Sequence, residues 1–276
     1  MDIAAIAPNL SKDAEGIWIA SGQGEVSYPS EGNESYFEVE ETSFWFRHRN
    51  NVITHLVREY SPEKTFFDIG GGNGCVSKAL QGVGVDTVLV EPGPQGARNA
   101  KQRGVASVIQ STLKDAGFRS GTLPSAGIFD VLEHIELDLN FLQDIYTYLQ
   151  PRARLYITVP AYGFLWSADD TYAGHIRRYS ASSLSLRLME AGFELTYWSY
   201  LFSFLVPAIF LLRSIPSRVG VRKSVSTATT KKEHSIRPGA AGYLLKKCLD
   251  LELCRIRDGN RLPVGSSCLA IATKPG

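Results

Sequence analysis

Two carboxylates flank a run of glycines in this 276-residue chain, and their spacing limits what could bind there. Asp68 closes the apolar run TFFDI, Gly70, Gly72 and Gly74 follow as G-x-G-x-G, and Glu91 stands twenty-one residues after Gly70. Glycines let the backbone approach a ligand closely and take up positive φ, while the N-terminus of a following helix offers free N–H groups to a carboxylate. An acidic side chain at the next strand end can accept from both ribose hydroxyls, so a nucleoside-bearing ligand is expected. Cys75 occupies the position where the dinucleotide pattern G-x-G-x-x-G wants its third small residue. A carboxylate at Asp68 would repel a pyrophosphate and suits a ligand that carries positive charge.

The second set of reactive residues lies downstream. His175 sits in the polar stretch LWSADDTYAGHIRRYS, after the fifth core strand, on the sheet edge where loops carry function more often than packing. It is the first candidate for a general base, with Tyr179 as a further catalytic candidate. Arg177 and Arg178 can bind a phosphate or carboxylate of a substrate, and Tyr162 and Trp166 are candidates for substrate contact. The plain alternative is that His175, Arg177, Arg178 and Tyr179 cap and solvate the helix that begins near Ser180. His134 follows Glu133 directly after the fourth core strand, where a capping hydrogen bond competes with catalysis. His48 belongs to SFWFRHRNN, the start of a long helix that can fold over a ligand as a lid, with Trp45 and Arg49 reaching its carboxylate. The competing reading is an aromatic stripe packed on a sheet with a basic face in solvent.

The elements that must hold these residues alternate. Trp45, Val52, Ile53, Leu56, Val57 and Tyr60 recur at helical spacing and stop before Pro62. Then TFFDI, DTVLVE, ASVIQST, AGIFDV, RLYITVP and ELTYWSY read as strands with helices between most of them, and SSCLAIATKP reads as the last strand. Strands alternating with helices demand right-handed crossovers and a parallel sheet covered on both faces. The expected fold is α/β, a Rossmann-like three-layer sandwich around a mostly parallel seven-stranded sheet whose last strand returns antiparallel. It divides into an N-terminal arm and lid helix (1–60), a core (61–199), an apolar and basic insertion between strands six and seven (200–265), and the last core strand (266–276). Residues 1 to about 40 are polar with little periodicity and read as a draped arm.

TFFDIGGGNG, VLVEPG, FDVLEHI, a helix ending in LQP and the strand LYITVP resemble class I S-adenosylmethionine-dependent methyltransferases, and FDVLEHI resembles those of the small-molecule, ubiquinone-biosynthesis type. The resemblance covers roughly residues 60 to 200. It implies that S-adenosylmethionine is the cofactor, that Asp68, Gly70, Gly72 and Gly74 hold its methionine end, and that Glu91 holds the ribose. It implies further that Thr112 and Leu113 neighbour the adenine and that Asp130 and Val131 face the sulfonium. Two positions depart from the family's habit: Gln110 and Ser111 stand where an acidic residue is common, and Pro151-Arg152-Ala153 stands in place of a Pro-Gly-Gly turn. TVPAY (158–162) lacks the Asn/Asp-Pro-Pro-aromatic pattern of enzymes that methylate amines of DNA bases.

Charge agrees with that exclusion. Twenty-nine Lys and Arg against 28 Asp and Glu leave no global field to hold nucleic acid. Cys75, Cys248, Cys254 and Cys268 form neither a C-x-x-C pair nor a zinc spacing, so free thiols in a reducing compartment are expected and no metal is. The start MDIAAIAPNLSKD lacks a basic segment and a long apolar core, which points to cytoplasmic residence. From Leu195 to Leu212 eighteen uncharged residues run together, followed up to Lys247 by nine Lys or Arg and one Glu. Pro207 interrupts a span, so two readings stay open: a lid over an acceptor pocket, or a peripheral contact of residues 200–240 with the inner face of a membrane. The expected activity is methyl transfer to oxygen of a small-molecule or lipid-linked acceptor. A catalytically inactive membrane-associated binding protein and a nicotinamide-dependent oxidoreductase are the alternatives.

Overall fold

The computed structural model describes residues 1–20, 37, 39–61, 64–221, 235 and 239–276. In chain order the strands are β1 (Leu10–Lys12), β2 (Trp18–Ala20), β3 (Phe66–Ile69), β4 (Thr87–Val90), β5 (Ser107–Gln110), β6 (Leu123–Phe129), β7 (Leu149–Pro160), β8 (Glu194–Leu201) and β9 (Ser267–Thr273). They form one sheet of order β1-β2-β5-β4-β3-β6-β7-β9-β8. Every residue of β3, β4 and β6 is buried, as continuous apolar strands covered on both faces must be. β9 runs antiparallel between β7 and β8, so the last strand of the chain is an interior strand, with Tyr156 opposite Ile271 and Tyr200 opposite Cys268.

The chain steps from β3 outward to β4 and β5, then crosses to the other side of β3 to lay down β6 and β7. The carboxyl ends of β3 and β6 therefore face a crevice at which the winding reverses, the place where open α/β sheets bind ligands. That crevice positions Asp68 and Asp130.

Among the described residues the sheet holds nine strands where seven were expected, because residues 10–20 are a hairpin and not a draped arm. Lys12 pairs with Trp18, and Trp18 in turn pairs parallel with Ile109 of β5. The turn is closed by Asp13, whose Oδ1 accepts from the N–H of Glu15 (2.9 Å) and of Ile17 (2.8 Å). Three-residue strands give too short an alternation to read from sequence, yet they cover the otherwise open edge of β5.

The helix Phe44–Tyr60 is capped by Ser43, whose Oγ accepts from Trp45 N (3.1 Å) and Phe46 N (3.3 Å). Its inner side packs on the sheet through Val52, Ile53, Leu56 and Val57, all buried. His48 Nε2 lies 2.9 Å from Glu252 Oε1, and the other bonds of Glu252 come from the backbone N–H of Phe202 and Ser203. His48 thus ties this helix to the helix Ala240–Arg257 and to the end of β8, and takes no part in the crevice.

Beyond β8 the insertion forms a short 3₁₀ turn, then helical residues 206–218 with a π-helical stretch Phe210–Ser214 between the turns Val206–Ile209 and Ile215–Arg218. Among the described residues no helix is long and apolar enough to cross a membrane. Much of the basic run between residues 222 and 238 lies outside the described residues. The four cysteines are free.

Candidate active site

The crevice opens into a cavity of about 790 Å³, within the range of small-molecule sites. Asp68 and Glu91 line one half of it. Asp68 is only 1% exposed, its Oδ2 accepts from Ser77 Oγ (2.7 Å), and its Oδ1 has no partner. Burial, only partly offset by the Ser77 bond and the charge of Arg49, pushes its carboxyl up to about 6. A buried acceptor left open in this way is costly and fits a cationic donor, so the residues present suit an ammonium group. Glu91 is fixed from behind: Gly93 N donates to Oε1 (2.7 Å) and Gly72 N to Oε2 (2.9 Å). Burial pushes its carboxyl up to about 7 against those two bonds.

Gly70 has φ +69°, and a Cβ there would come within 2.8 Å of the Val131 side chain. The turn after β3 and the turn after β6 can therefore approach only because position 70 has no side chain. Thr112, Leu113, Asp130 and Val131 also line the cavity, as do Gly70 and Gly72. Gly74 does not. It caps the helix Cys75–Gly82 in a left-handed conformation and packs against Ala100 and Val105.

Arg49 reaches the cavity from the long helix and pairs with Asp130 Oδ2, while Thr158 donates to Asp130 Oδ1 at 3.2 Å. Its guanidinium lies over the Trp45 ring at 4.9 Å, and Trp45 stacks on Phe202 at 5.3 Å. Trp45 thus lines the cavity and is also packed on an aromatic neighbour. Arg49 spends its charge on Asp130.

The other half is built around His175. Its Nδ1 lies 2.8 Å from Asp170 Oδ1, and Arg178 grips the same carboxylate from Nε (2.7 Å) and Nη2 (3.0 Å). Burial opposes ionisation of Asp170, but the bonds from His175 and Arg178 outweigh it and hold the carboxyl at about 2. Asp170 is itself placed by a capping box on the short helix Ala168–Ala173: Ser167 N donates to its Oδ2 at 2.9 Å. Orienting one ring nitrogen aims the other, Nε2, at Glu133 Oε1, 3.9 Å away. The His134 ring packs edge-on against His175 with centroids 4.9 Å apart. Burial, then the neighbouring His175, lowers His134 to about 4. Burial, then the charge of Asp130, raises Glu133 well above the usual carboxylate range. Both oxygens of Glu133 are buried with no hydrogen-bond partner.

Tyr179, Arg177, Tyr162 and Trp166 are not among the residues lining this cavity, which corrects four expectations. Tyr179 is buried, its OH donating to Asp138 Oδ2 (2.9 Å), and Arg177 pairs with the same oxygen at 2.8 Å. One turn of the loop sends Arg178 inward and its two neighbours onto the helix Asp138–Tyr148, and not onto the helix Ala181–Glu190, which Ser180 caps. Tyr162 is stacked between Tyr200 (5.0 Å) and Phe164 (5.3 Å), and Trp166 is half-buried. The sequence reading missed Asp170, Glu133 as an element of the site, and the insertion residues Leu205, Ile209, Leu212 and Arg213 that wall it. For Asp170 a signal existed, S-x-x-D followed five residues later by His, which places a capping carboxylate and a histidine at the two ends of one short helix.

The family profile described as a methyltransferase domain matches residues 45–197, more than half of the chain. Among solved structures the chain is similar to one in the complex between the Haloferax volcanii Trm112 methyltransferase activator and a methyltransferase, at TM-score 0.56 and 14% identity over 90% of this chain and 96% of that one. A SAM-dependent methyltransferase from Thermotoga maritima gives 0.53 and 17% over 88% and 95%. Phosphoethanolamine N-methyltransferase 2 of Haemonchus contortus, in complex with S-adenosyl-L-methionine, gives 0.55 and 16% over 91% of this chain and 59% of its own. At such identities the likeness is one of fold. No curated protein matches the chain.

Proposed function

The chain belongs to the methyltransferase-domain family and has the class I S-adenosylmethionine-dependent fold with that cofactor, and from this premise we propose that it methylates a hydroxyl oxygen of an acceptor that carries an apolar part. The observation that carries the reading is the division of one cavity into an acidic half, Asp68 and Glu91, and an imidazole–carboxylate half around His175, with Asp130 at the junction.

Bound in the acidic half, S-adenosylmethionine supplies an electrophilic methyl carbon on a positively charged sulfur. Asp68 Oδ1 takes the ammonium group. Glu91, its carboxylate already oriented by two backbone N–H donors, takes the ribose hydroxyls with its remaining lone pairs. Asp130 and Arg49 form a fixed pair beside the sulfonium position, so that charge meets an ion pair and not bulk water. His175, aimed by Asp170 and Arg178, activates the acceptor oxygen. Phe44, Leu205, Ala208, Ile209 and Leu212 line the cavity beyond and accept the apolar part of the acceptor while excluding water.

The outward side of the insertion supports a lipid-linked acceptor over a freely soluble one. Leu211 is 59% exposed, Val219 67% and Val221 80%, an apolar face next to the cavity wall. Co-sedimentation with anionic vesicles, lost on Leu211→Ser with Val219→Ser, is the outcome this expects; equal sedimentation of both proteins rejects the contact. The function itself is tested by calorimetry. S-adenosylmethionine and its demethylated product should bind the parent protein, and Asp68→Asn should weaken both by about ten- to a hundredfold, the range for losing a charged hydrogen bond. A parent protein with no affinity for either ligand overturns the reading.

A further inference from the structure

Glu133 is 0% exposed, and neither of its oxygens finds a hydrogen-bond donor. Such a group is costly unless something satisfies it, and the His175 Nε2 distance of 3.9 Å is too long for a hydrogen bond. A general base at His175 explains Asp170, which orients the ring, but it gives Glu133 no task. A second buried carboxylate on the far side of the imidazole asks for a cation.

We propose that Glu133, His134 and His175 bind one divalent transition-metal ion, which holds the acceptor oxygen in the cleft. One carboxylate oxygen and one ring nitrogen from each histidine lie within 4.8 Å of one another. Metal–ligand distances of about 2.0 to 2.2 Å bring such atoms closer together than that, so small side-chain rotations close the three onto an ion. Two imidazoles and a carboxylate suit zinc, iron, manganese or cobalt better than magnesium or calcium, which prefer all-oxygen shells. Three protein ligands leave positions open toward the cavity, the arrangement of a site that takes an exogenous oxygen.

The surroundings have the form of a supported metal site. His175 is backed at Nδ1 by Asp170, the carboxylate–histidine pairing that fixes a ligating ring, and Arg178 fixes Asp170 in turn. His134 Nδ1 lies 3.3 Å from Gly174 O. The two ligand-bearing segments are stitched together, since Ile176 N donates to Glu133 O at 3.0 Å. Asp130 is already committed to Arg49 and Thr158, so it contributes charge but no ligand. The role of the ion rests on the proposed hydroxyl acceptor, while its binding does not. Methyl transfer needs no metal for the displacement itself; the ion would hold the acceptor oxygen and lower the pKa of its hydroxyl, whose proton would pass to solvent, because the Nε2 lone pair that a base would offer to it goes to the ion.

Calorimetric titration of the chelator-treated full chain with Zn²⁺, and separately with Mn²⁺, tests the site. One ion per chain is expected, weakened at least about tenfold by His175→Ala and by Glu133→Gln, and about ten- to a hundredfold by Asp170→Asn. Binding of the demethylated cofactor, measured on the same proteins, reports whether each variant is folded. Co²⁺ added to the parent protein gives a readout that needs no variant, the absorption of a low-symmetry imidazole site. The proposal is overturned if the parent protein binds the demethylated cofactor but neither ion. It is equally overturned if His175→Ala binds the ion as tightly as the parent. Loss of cofactor affinity in the parent would instead strike the methyltransferase reading and leave the metal result to stand by itself.

Discussion

The two halves of the cavity are built in different ways. In the acidic half, Asp68, Gly70, Gly72 and Glu91 lie within one strand–turn–helix–strand unit, and the groups that fix Glu91 are backbone N–H donors. In the other half, Arg49, Glu133, Asp170, His175, Arg178 and Ile209 come from separate segments of the chain, and His175 is fixed by the Asp170 side chain, which Arg178 holds in turn. A half made of backbone turns can hold one ligand across many sequences. A half made of converging loops can be re-shaped for each acceptor without disturbing the first.

That contrast can be broken by experiment, most severely at the imidazole. His175→Ala should lower kcat by about a hundred- to ten-thousandfold while cofactor affinity stays within about twofold, because the residue serves only the acceptor side. Turnover within a few-fold of the parent would remove His175 from the chemistry.

Glu91→Ala should do the reverse. Cofactor affinity measured by calorimetry should fall by about ten- to a hundredfold, with kcat at saturating cofactor changed far less. A fall in kcat alone would mean that Glu91 acts on the reacting centre.

The pH dependence sharpens the same division. Asp68 titrates near 6 and Glu91 near 7 in the unliganded protein, both raised by burial, and the cation is held by the ionised form of Asp68. Cofactor affinity should therefore be full above pH 7 and fall as the pH drops through 6, approaching about tenfold per pH unit below it. Affinity unchanged between pH 5 and 8, followed by titration at about those two values, would show that neither carboxylate is at the ligand.

The smallest effect belongs to the apolar wall. Ile209→Ala should raise the acceptor KM by roughly fivefold, the transfer free energy of about 1 kcal/mol for a partly buried aliphatic side chain, with cofactor affinity unaltered. An effect on cofactor affinity would mean that the insertion covers both halves.

Legibility from sequence followed the same line. Asp68, Gly70, Gly72 and Glu91 could be read because each position is a consequence of local geometry: a strand end, a turn that tolerates no side chain, the next strand end. Arg178 and His175 could be read as polar residues on the correct sheet edge, but Arg177, Arg178 and Tyr179 could not be told apart, since one residue of rotation along an extended loop reverses the direction of a side chain. Glu133 looked like half of a local pair because nothing in its neighbours in sequence says that a fully buried position awaits it. The hairpin of residues 10–20 was lost for a simpler reason: strands of three residues leave no period to detect.

The sequence by itself determined the alternation of strands and helices and the acidic turn, because period, glycine spacing and strand ends are properties of contiguous residues. Tertiary structure alone decided which histidine meets which carboxylate and which apolar side chains close the cavity. Those pairings join residues from 44 to 213, and burial, which sets their charge and their need for a partner, exists only once the chain is packed.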